Sequence, residues 1–97
     1  MVSNSTFSIP DMFVQRCLST FSHNQLDILQ EECAELIQAC AKLKRNKPVL
    51  ENLKEEIAHV LISSAVIAKM YNITEEDILH EVRNKEIKYG FKTSKGE

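Results

Sequence analysis

The sequence predicts an all-α protein of four helices. Apolar residues recur at spacings of three and four along most of the chain, which is the period of an amphipathic helix. The 97 residues include only two glycines and two prolines, so few positions interrupt long helices. Helical periodicity is the only regular pattern visible. A chain of this length predicts a single domain, 1–97, with a small core or a core completed by oligomerisation.

The first two helices follow a polar N-terminal segment. Residues 1–7 are expected to be flexible. A short helix is predicted next, with Ser8 as its N-cap and Pro10 in its first turn. Asn24 is predicted to cap the second helix, which runs from about 25 to 45. The apolar stripe of this second helix consists of Leu26, Leu29, Cys33, Leu36, Ile37, Cys40 and Leu43.

The third helix is predicted to begin near Pro48 and to end at Met70 or Tyr71. Between 60 and 70 it is apolar on nearly every side, which is typical of a helix buried all round. Because a chain of this size has one small core, we expect part of this surface to contact another subunit. The sequence therefore predicts a homo-oligomer, with dimer and tetramer both open.

The fourth helix has clear signals at both ends. Thr74 is predicted to cap its N-terminus, where the following acidic residues suit the positive end of the helix dipole. Gly90 is predicted to follow its last turn as the C′ residue. Residues 93–97 are polar and are expected to be frayed.

Charge and cysteine content argue against several classes of protein. The net charge of −2 gives no reason to expect binding to nucleic acid. No apolar run approaches the length of a membrane span, and the N-terminus lacks the pattern of a secretory signal. Cys17, Cys33 and Cys40 have neither redox-motif nor zinc-finger spacing, which favours reduced core residues. We therefore expect a cytoplasmic protein without nucleic-acid or membrane partners.

Acidic residues at helical spacing are the main candidates for chemistry. Glu32 and Glu35 lie three apart on the second helix, and Glu56 and His59 have the same spacing on the third. If these helices pack side by side, their carboxylates converge, and the repulsion favours a bound divalent cation, above all Mg²⁺. Two alternatives stay open from the residues alone. The acids could be solvated surface groups, or basic residues of the fourth helix could balance them.

The order and spacing of these residues resemble the MazG-type superfamily of all-α nucleoside triphosphate pyrophosphohydrolases. The family's first motif, EExxE, is matched by Glu31-Glu32-Cys33-Ala34-Glu35. Its second motif, EExxD, resembles Glu55-Glu56-Ile57-Ala58-His59. A basic segment at 82–88 is similar to the family's last core helix. The resemblance covers about 24–89 and implies a four-helix MazG-like bundle.

The resemblance also implies a reaction and a set of site residues. Family members hydrolyse a nucleoside triphosphate to the monophosphate and pyrophosphate with Mg²⁺, and Mn²⁺ is an alternative ion here. The residues carried over by matching position are Glu32, Glu35, Glu56 and His59 for the metal, Glu31 and Glu35 for catalysis, and Lys85 and Lys88 for the substrate phosphates.

His59 departs from the family pattern, which has aspartate at this position. Imidazole nitrogen suits transition metals better than Mg²⁺, so His59 could bind a softer ion such as Mn²⁺ or Zn²⁺. It could instead contact a substrate phosphate, or it could leave the site weak or silent. We expect Mg²⁺ still to bind through three glutamates. A silent nucleotide- or metal-binding module and a phosphoribosyl-ATP pyrophosphohydrolase are the alternative functions.

Overall fold

The computed structural model describes residues 8–21 and 24–92, which form four α-helices and no β-strand. The helices are α1 (Asp11–Thr20), α2 (Gln25–Lys44), α3 (Leu50–Met70) and α4 (Glu75–Lys88). The all-α class and the four predicted helices are confirmed. The flexibility expected for 1–7 and 93–97 concerns positions outside the described residues.

The start of α1 differs from the prediction. The helix begins at Asp11, and Pro10 lies in the N-cap position without a side-chain capping bond. Ser8 has a positive φ of 62° and lies before the helix, so the predicted cap at Ser8 is wrong. Proline disfavours a helical conformation in the residue before it, and Ile9 therefore cannot extend the helix towards Ser8. The carbonyl of Pro10 instead accepts the first helical hydrogen bonds.

The start of α2 is tied to the end of α1. Asn24 occupies the predicted N-cap position, but it has a left-handed φ of 66° and its side chain makes no capping bond. The neighbouring side chain of Gln25 is buried and donates a hydrogen bond to the carbonyl of Phe21. A side-chain amide thus joins the two helices where a simple cap was predicted.

The C-terminal ends of α2, α3 and α4 share one arrangement. A residue with positive φ follows the C-cap of each helix: Asn46 at 62°, Asn72 at 56° and Gly90 at 76°. The N–H of the next residue then donates to a carbonyl in the last helical turn, at 2.8–3.1 Å. This pattern is a Schellman motif, which satisfies carbonyls that the helix leaves unpaired. It explains why the predicted breaks after α2, α3 and α4 are found in the structure.

The folded centre lies around α3. α2 packs along α3 as a helical hairpin, and α1 packs against α3 as well. Val14 of α1 and Ala65 and Val66 of α3 are almost completely buried and form the core cluster. Across the same contact, Lys69 Nζ donates to Asp11 Oδ1 at 3.0 Å. The core is small, as the length of the chain predicts.

The apolar half of α3 is partly covered within the chain. Its buried residues are Ser63, Ala65, Val66 and Ala68, and α1 and α2 provide the packing. The larger side chains are only half-buried or exposed, namely Val60, Leu61, Ile62, Ile67 and Met70. The chain's own helices therefore occupy part of the surface that the sequence assigned to a second subunit, and the rest of that surface stays accessible.

α4 lies apart from the other three helices. It is bent by 117° relative to α3, contains no buried residue and packs extensively on none of α1, α2 or α3. Large apolar side chains are exposed on α4 and just after it, namely Leu79, Val82, Ile87, Tyr89 and Phe91. The radius of gyration is 15.6 Å, whereas a compact chain of 100 residues has about 13 Å. The single chain is therefore open at α4.

Of the helices that the structure describes, none is by itself long and apolar enough to cross a membrane, whereas α3 and α4 pass that test only when taken together as a bent pair.

Candidate metal centre

Three side chains with metal-binding atoms meet between α2 and α3. They are Glu32 from α2 and Glu56 and His59 from α3, and one ligand atom of each lies within 4.8 Å of the other two. Glu56 and His59 share a face of α3 because they are three residues apart. The packing of α2 along α3 places Glu32 beside them. The structure thus brings together three of the four residues that the resemblance assigned to the metal.

The imidazole of His59 stands between the two carboxylates. Its Nδ1 atom is 3.1 Å from Glu56 Oε1 and 3.4 Å from Glu32 Oε2. The side chain of Glu56 is 12% exposed and that of Glu32 is 21% exposed, whereas His59 is 43% exposed. The carboxylates therefore form the inner part of the group, and the imidazole forms its outer edge.

Asn52 supports this group, although no motif in the sequence includes it. Its Nδ2 atom donates to Glu56 Oε2 at 3.4 Å, while Glu56 Oε1 faces His59. Asn52 lies four residues before Glu56 and so on the same face of α3. That spacing is the signal by which it could have been found. By holding one carboxylate oxygen, Asn52 orients the other towards the group.

The electrostatic environment of Glu32 disfavours its charged form. Burial is the main reason that the pKa of Glu32 is raised above its usual value, followed by a hydrogen bond with Glu35 and by the charges of Glu35 and Glu56. The imidazole of His59 acts in the opposite direction. Carboxylates that repel each other in this way are stabilised by a nearby cation. The group therefore has the oxygen donors and the electrostatics of a cation site.

Glu35 and Glu31 occupy different positions relative to the group. Glu35 is exposed and lies beside Glu32, from whose protonated carboxyl it can accept a hydrogen bond. It is not one of the three residues whose ligand atoms lie within 4.8 Å of one another. Glu31 is also exposed and lines a separate hollow with Asp27 and Thr20. Glu35 is thus linked to the group through Glu32, while Glu31 lies outside it.

The basic residues of α4 are not brought to the carboxylates. Lys85 and Lys88 are exposed on a helix that packs extensively on neither α2 nor α3, and Lys85 Nζ lies 5.5 Å from the centre of the Tyr89 ring. Arg83 pairs with Glu76 of the same helix at 2.9 Å. Arg83 is therefore paired within α4, and it does not neutralise the negative charges of Glu32 and Glu56 in the single chain. The sequence thus predicts the helix that carries Lys85 and Lys88, but it does not predict where this helix lies relative to α2 and α3.

A cavity of about 170 Å³ adjoins the group. Glu32 and His59 line one side of it, and Cys17 and Phe21 contribute from α1 and its C-cap. The remaining lining comes from α2 and α3 and is mostly apolar: Gln25, Ile28, Ile62, Ser63 and Val66. The sequence predicts Cys17 as a core residue but does not predict the cavity, because the shape of the cavity depends on how three helices pack. A ligand held at the carboxylates would have an apolar recess beside it.

Comparison with known proteins identifies the family. A profile of the MazG nucleotide pyrophosphohydrolase domain matches residues 21–89. The chain belongs to this family. No curated protein and no solved structure matches it. The resemblance to MazG-like proteins and the all-α fold that it implied are therefore confirmed.

The MazG match divides the candidate site into two parts. It includes α2, α3 and α4, and with them Glu32, Glu56 and His59. It begins at position 21, so α1 and Cys17 lie outside it. The candidate metal ligands thus belong to the MazG domain, whereas part of the cavity wall comes from the segment that precedes it.

Proposed function

We propose that this MazG-family protein hydrolyses a nucleoside triphosphate to the nucleoside monophosphate and pyrophosphate with a divalent cation. The observation that carries the proposal is that Glu32, Glu56 and His59 meet at the edge of an apolar cavity. A nucleotide has an anionic part that requires a cation beside carboxylates, and a base with an apolar face that suits a recess. Membership of the family supports the same reaction class.

The cation would be held by Glu32, Glu56 and His59, with Mg²⁺ or Mn²⁺ as the ion. Two carboxylates supply the oxygen donors that these ions take, and both are mostly buried. When bound, the cation would neutralise charge on the phosphates and polarise the phosphorus under attack. The raised pKa of Glu32 supports this assignment, because a cation would offset the burial of its carboxylate and the weaker repulsion from neighbouring carboxylates.

The remaining glutamates would serve the attacking water. Its oxygen attacks the α-phosphorus, the bond from that phosphorus to the oxygen bridging to the β-phosphate breaks, and pyrophosphate leaves. Glu35 is exposed and lies beside Glu32, and its ionised carboxylate would take the proton released by the water. Glu31 is assigned to orienting this water, on the strength of its place in the motif.

We propose that α4 acts through a homo-oligomer, a dimer or a tetramer. Lys85 and Lys88 would contact the leaving pyrophosphate, and α4 of a second copy could bring them there. The exposed apolar side chains of α4 support this arrangement, since burying them between copies would stabilise the assembly. A cytoplasmic location, expected from the cysteines, is part of the same proposal.

A catalytically silent metal- or nucleotide-binding module is the second candidate. One observation favours it: His59 contacts both glutamates as an ion-pair partner would, and this could satisfy the carboxylates without a metal. The two candidates differ in whether substrate is turned over.

The test is release of pyrophosphate from a panel of ribo- and deoxyribonucleoside triphosphates, with Mg²⁺ and with Mn²⁺. Release that depends on the metal is expected from the natural chain. Glu35→Gln should lower its rate by about 100-fold or more, because the base that accepts the proton is lost. Glu56→Gln should abolish it through loss of a metal ligand.

Glu51→Gln is the matched control, because Glu51 is exposed on the same helix as Glu56 and lies outside both family motifs and the metal group. It should hydrolyse at the rate of the natural chain. Nucleotide binding without release would overturn the enzyme assignment and establish the silent module. Release that first appears in His59→Asp would show that histidine at this position silences the site.

A further inference from the structure

The nitrogen of His59 lies at distances from two carboxylate oxygens that match those between ligands of a single ion. Atoms bonded to one ion at about 2.1 Å lie about 3.0–3.4 Å apart at octahedral or tetrahedral angles. The distances from His59 Nδ1 to Glu56 Oε1 and Glu32 Oε2 are 3.1 and 3.4 Å. The nitrogen therefore already stands where a ligand would, and Asn52 holds Glu56 in the matching orientation.

We propose that His59 is a nitrogen ligand and that it makes the site select Mn²⁺ over Mg²⁺. The inference rests on the proposed function, because it concerns the same site. Mg²⁺ binds mainly by charge and takes oxygen ligands, whereas a first-row transition ion also accepts imidazole nitrogen. Histidine in place of a third carboxylate removes one negative charge, which weakens Mg²⁺. The added nitrogen bond offsets this loss for Mn²⁺.

Outer contacts agree with this assignment. Asn52 is the type of neighbour that orients a ligating carboxylate, since its amide donates to the oxygen that does not face His59. A carboxylate and an imidazole three residues apart on one helix also need little rearrangement to bind one ion. Selectivity for Mn²⁺ is thus built mainly on α3, with one further oxygen from α2.

The experiment measures binding and does not require turnover. The full chain is titrated with Mn²⁺ and with Mg²⁺ by calorimetry, and bound Mn²⁺ is examined by pulsed electron paramagnetic resonance for coupling to a histidine nitrogen. We expect Mn²⁺ to bind at least about tenfold more tightly than Mg²⁺. We also expect a histidine-nitrogen signal from the natural chain. His59→Asp should remove this signal and reduce the ratio of the two affinities.

His80→Asp is the matched control, because it makes the same change in charge on an exposed position of α4. It should keep both the nitrogen signal and the affinity ratio. Bound Mn²⁺ without a histidine signal, or no Mn²⁺ binding, would overturn the inference. Since the signal is read from the natural chain, misfolding of the His59→Asp variant cannot hide the answer. A histidine signal without hydrolysis would leave the inference standing and overturn only the proposed function.

Discussion

The α2–α3 hairpin and α4 are both well-formed helical regions, but they are stabilised in different ways. The hairpin is held by tertiary packing, with α1 covering α3, and it carries the three candidate ligands. α4 is defined by its ends: a capping box joins Thr74 and Asp77, and a Schellman motif at Gly90 closes the last turn. It has no buried residue. The difference teaches that local signals suffice to define a helix, while long-range packing decides where it lies.

The largest expected effect on stability comes from placing a charge in the core beside the hairpin, and the same change on α4 serves as the comparison. Val66→Asp puts a carboxylate into the core between α1 and α3, at a position that is almost completely buried among apolar side chains. We expect it to lower the free energy of unfolding by about 3 kcal/mol or more, because a buried unpaired charge is strongly unfavourable. Urea denaturation followed by circular dichroism measures the loss.

Val82→Asp is the matched substitution on α4. Val82 is exposed in the single chain, so in protein dilute enough to be monomeric the same change should alter the free energy of unfolding by less than about 0.5 kcal/mol. Losses of equal size in the two monomeric variants would break the comparison. A loss at Val82 that appears only at higher protein concentration would show that Val82 is buried between copies, as the proposed homo-oligomer requires.

Glu32→Gln tests whether the ionised carboxylate of Glu32 lowers the free energy of unfolding of the metal-free chain. A raised pKa means that the folded chain holds the proton of Glu32 more tightly than the unfolded chain does. The stabilisation from Glu32 is therefore full below its usual value of 4.5 and is lost as pH rises through the raised pKa. Metal-free Glu32→Gln should be about 1 kcal/mol more stable than the natural chain at neutral pH. Unfolding by urea with a chelator, between pH 4.5 and 8, measures the difference.

The gain should shrink as the pH falls, because the natural carboxyl then becomes protonated. Glu55→Gln, the exposed neighbour of Glu56, should show no such pH-dependent gain. Lower stability of Glu32→Gln at neutral pH would mean that the ion pair with His59 outweighs the burial and repulsion of Glu32.

The smallest effect concerns α4 alone. In its capping box, Asp77 N donates to Thr74 Oγ1 at 3.1 Å and Thr74 N donates to Asp77 Oδ2 at 2.8 Å. Thr74→Ala removes the first of these bonds and should destabilise the helix by about 1 kcal/mol. Amide hydrogen exchange in α4 should then be about fivefold faster.

Exchange in α2 and α3 serves as the internal control for Thr74→Ala. It should remain at the rate of the natural chain, because α4 packs on neither helix extensively. Faster exchange throughout all helices would show that α4 unfolds together with the hairpin, and the two regions would no longer be distinct.

The same contrast explains what the sequence could predict. Thr74 and Gly90 marked the ends of α4 because caps depend on near neighbours. The meeting of Glu32 with Glu56 and His59 followed from motif order and from the expectation that consecutive helices pack together. The position of Lys85 could not be predicted, since it depends on how α4 packs.

The cavity was beyond prediction for the same reason. It requires Cys17 of α1 to lie opposite side chains of α2 and α3, and this depends on contacts between distant parts of the chain. The predicted start of α1 was wrong for a different reason, which involves only neighbouring residues. A serine before a helix suggested a cap, whereas the restriction that Pro10 places on Ile9 decided the boundary.

The attachment of α1 sets an order in which the site can assemble. Asp11 and Lys69, which join α1 to α3, are 58 positions apart, whereas α2 and α3 are neighbours in the chain. Contacts at short sequence separation form at lower entropic cost, so the hairpin with its ligands can fold before α1 docks. Removal of α1 would take Cys17 out of the cavity wall, whereas Glu32, Glu56 and His59 all lie on α2 and α3. The group of donor atoms is thus independent of the helix that completes the recess beside it.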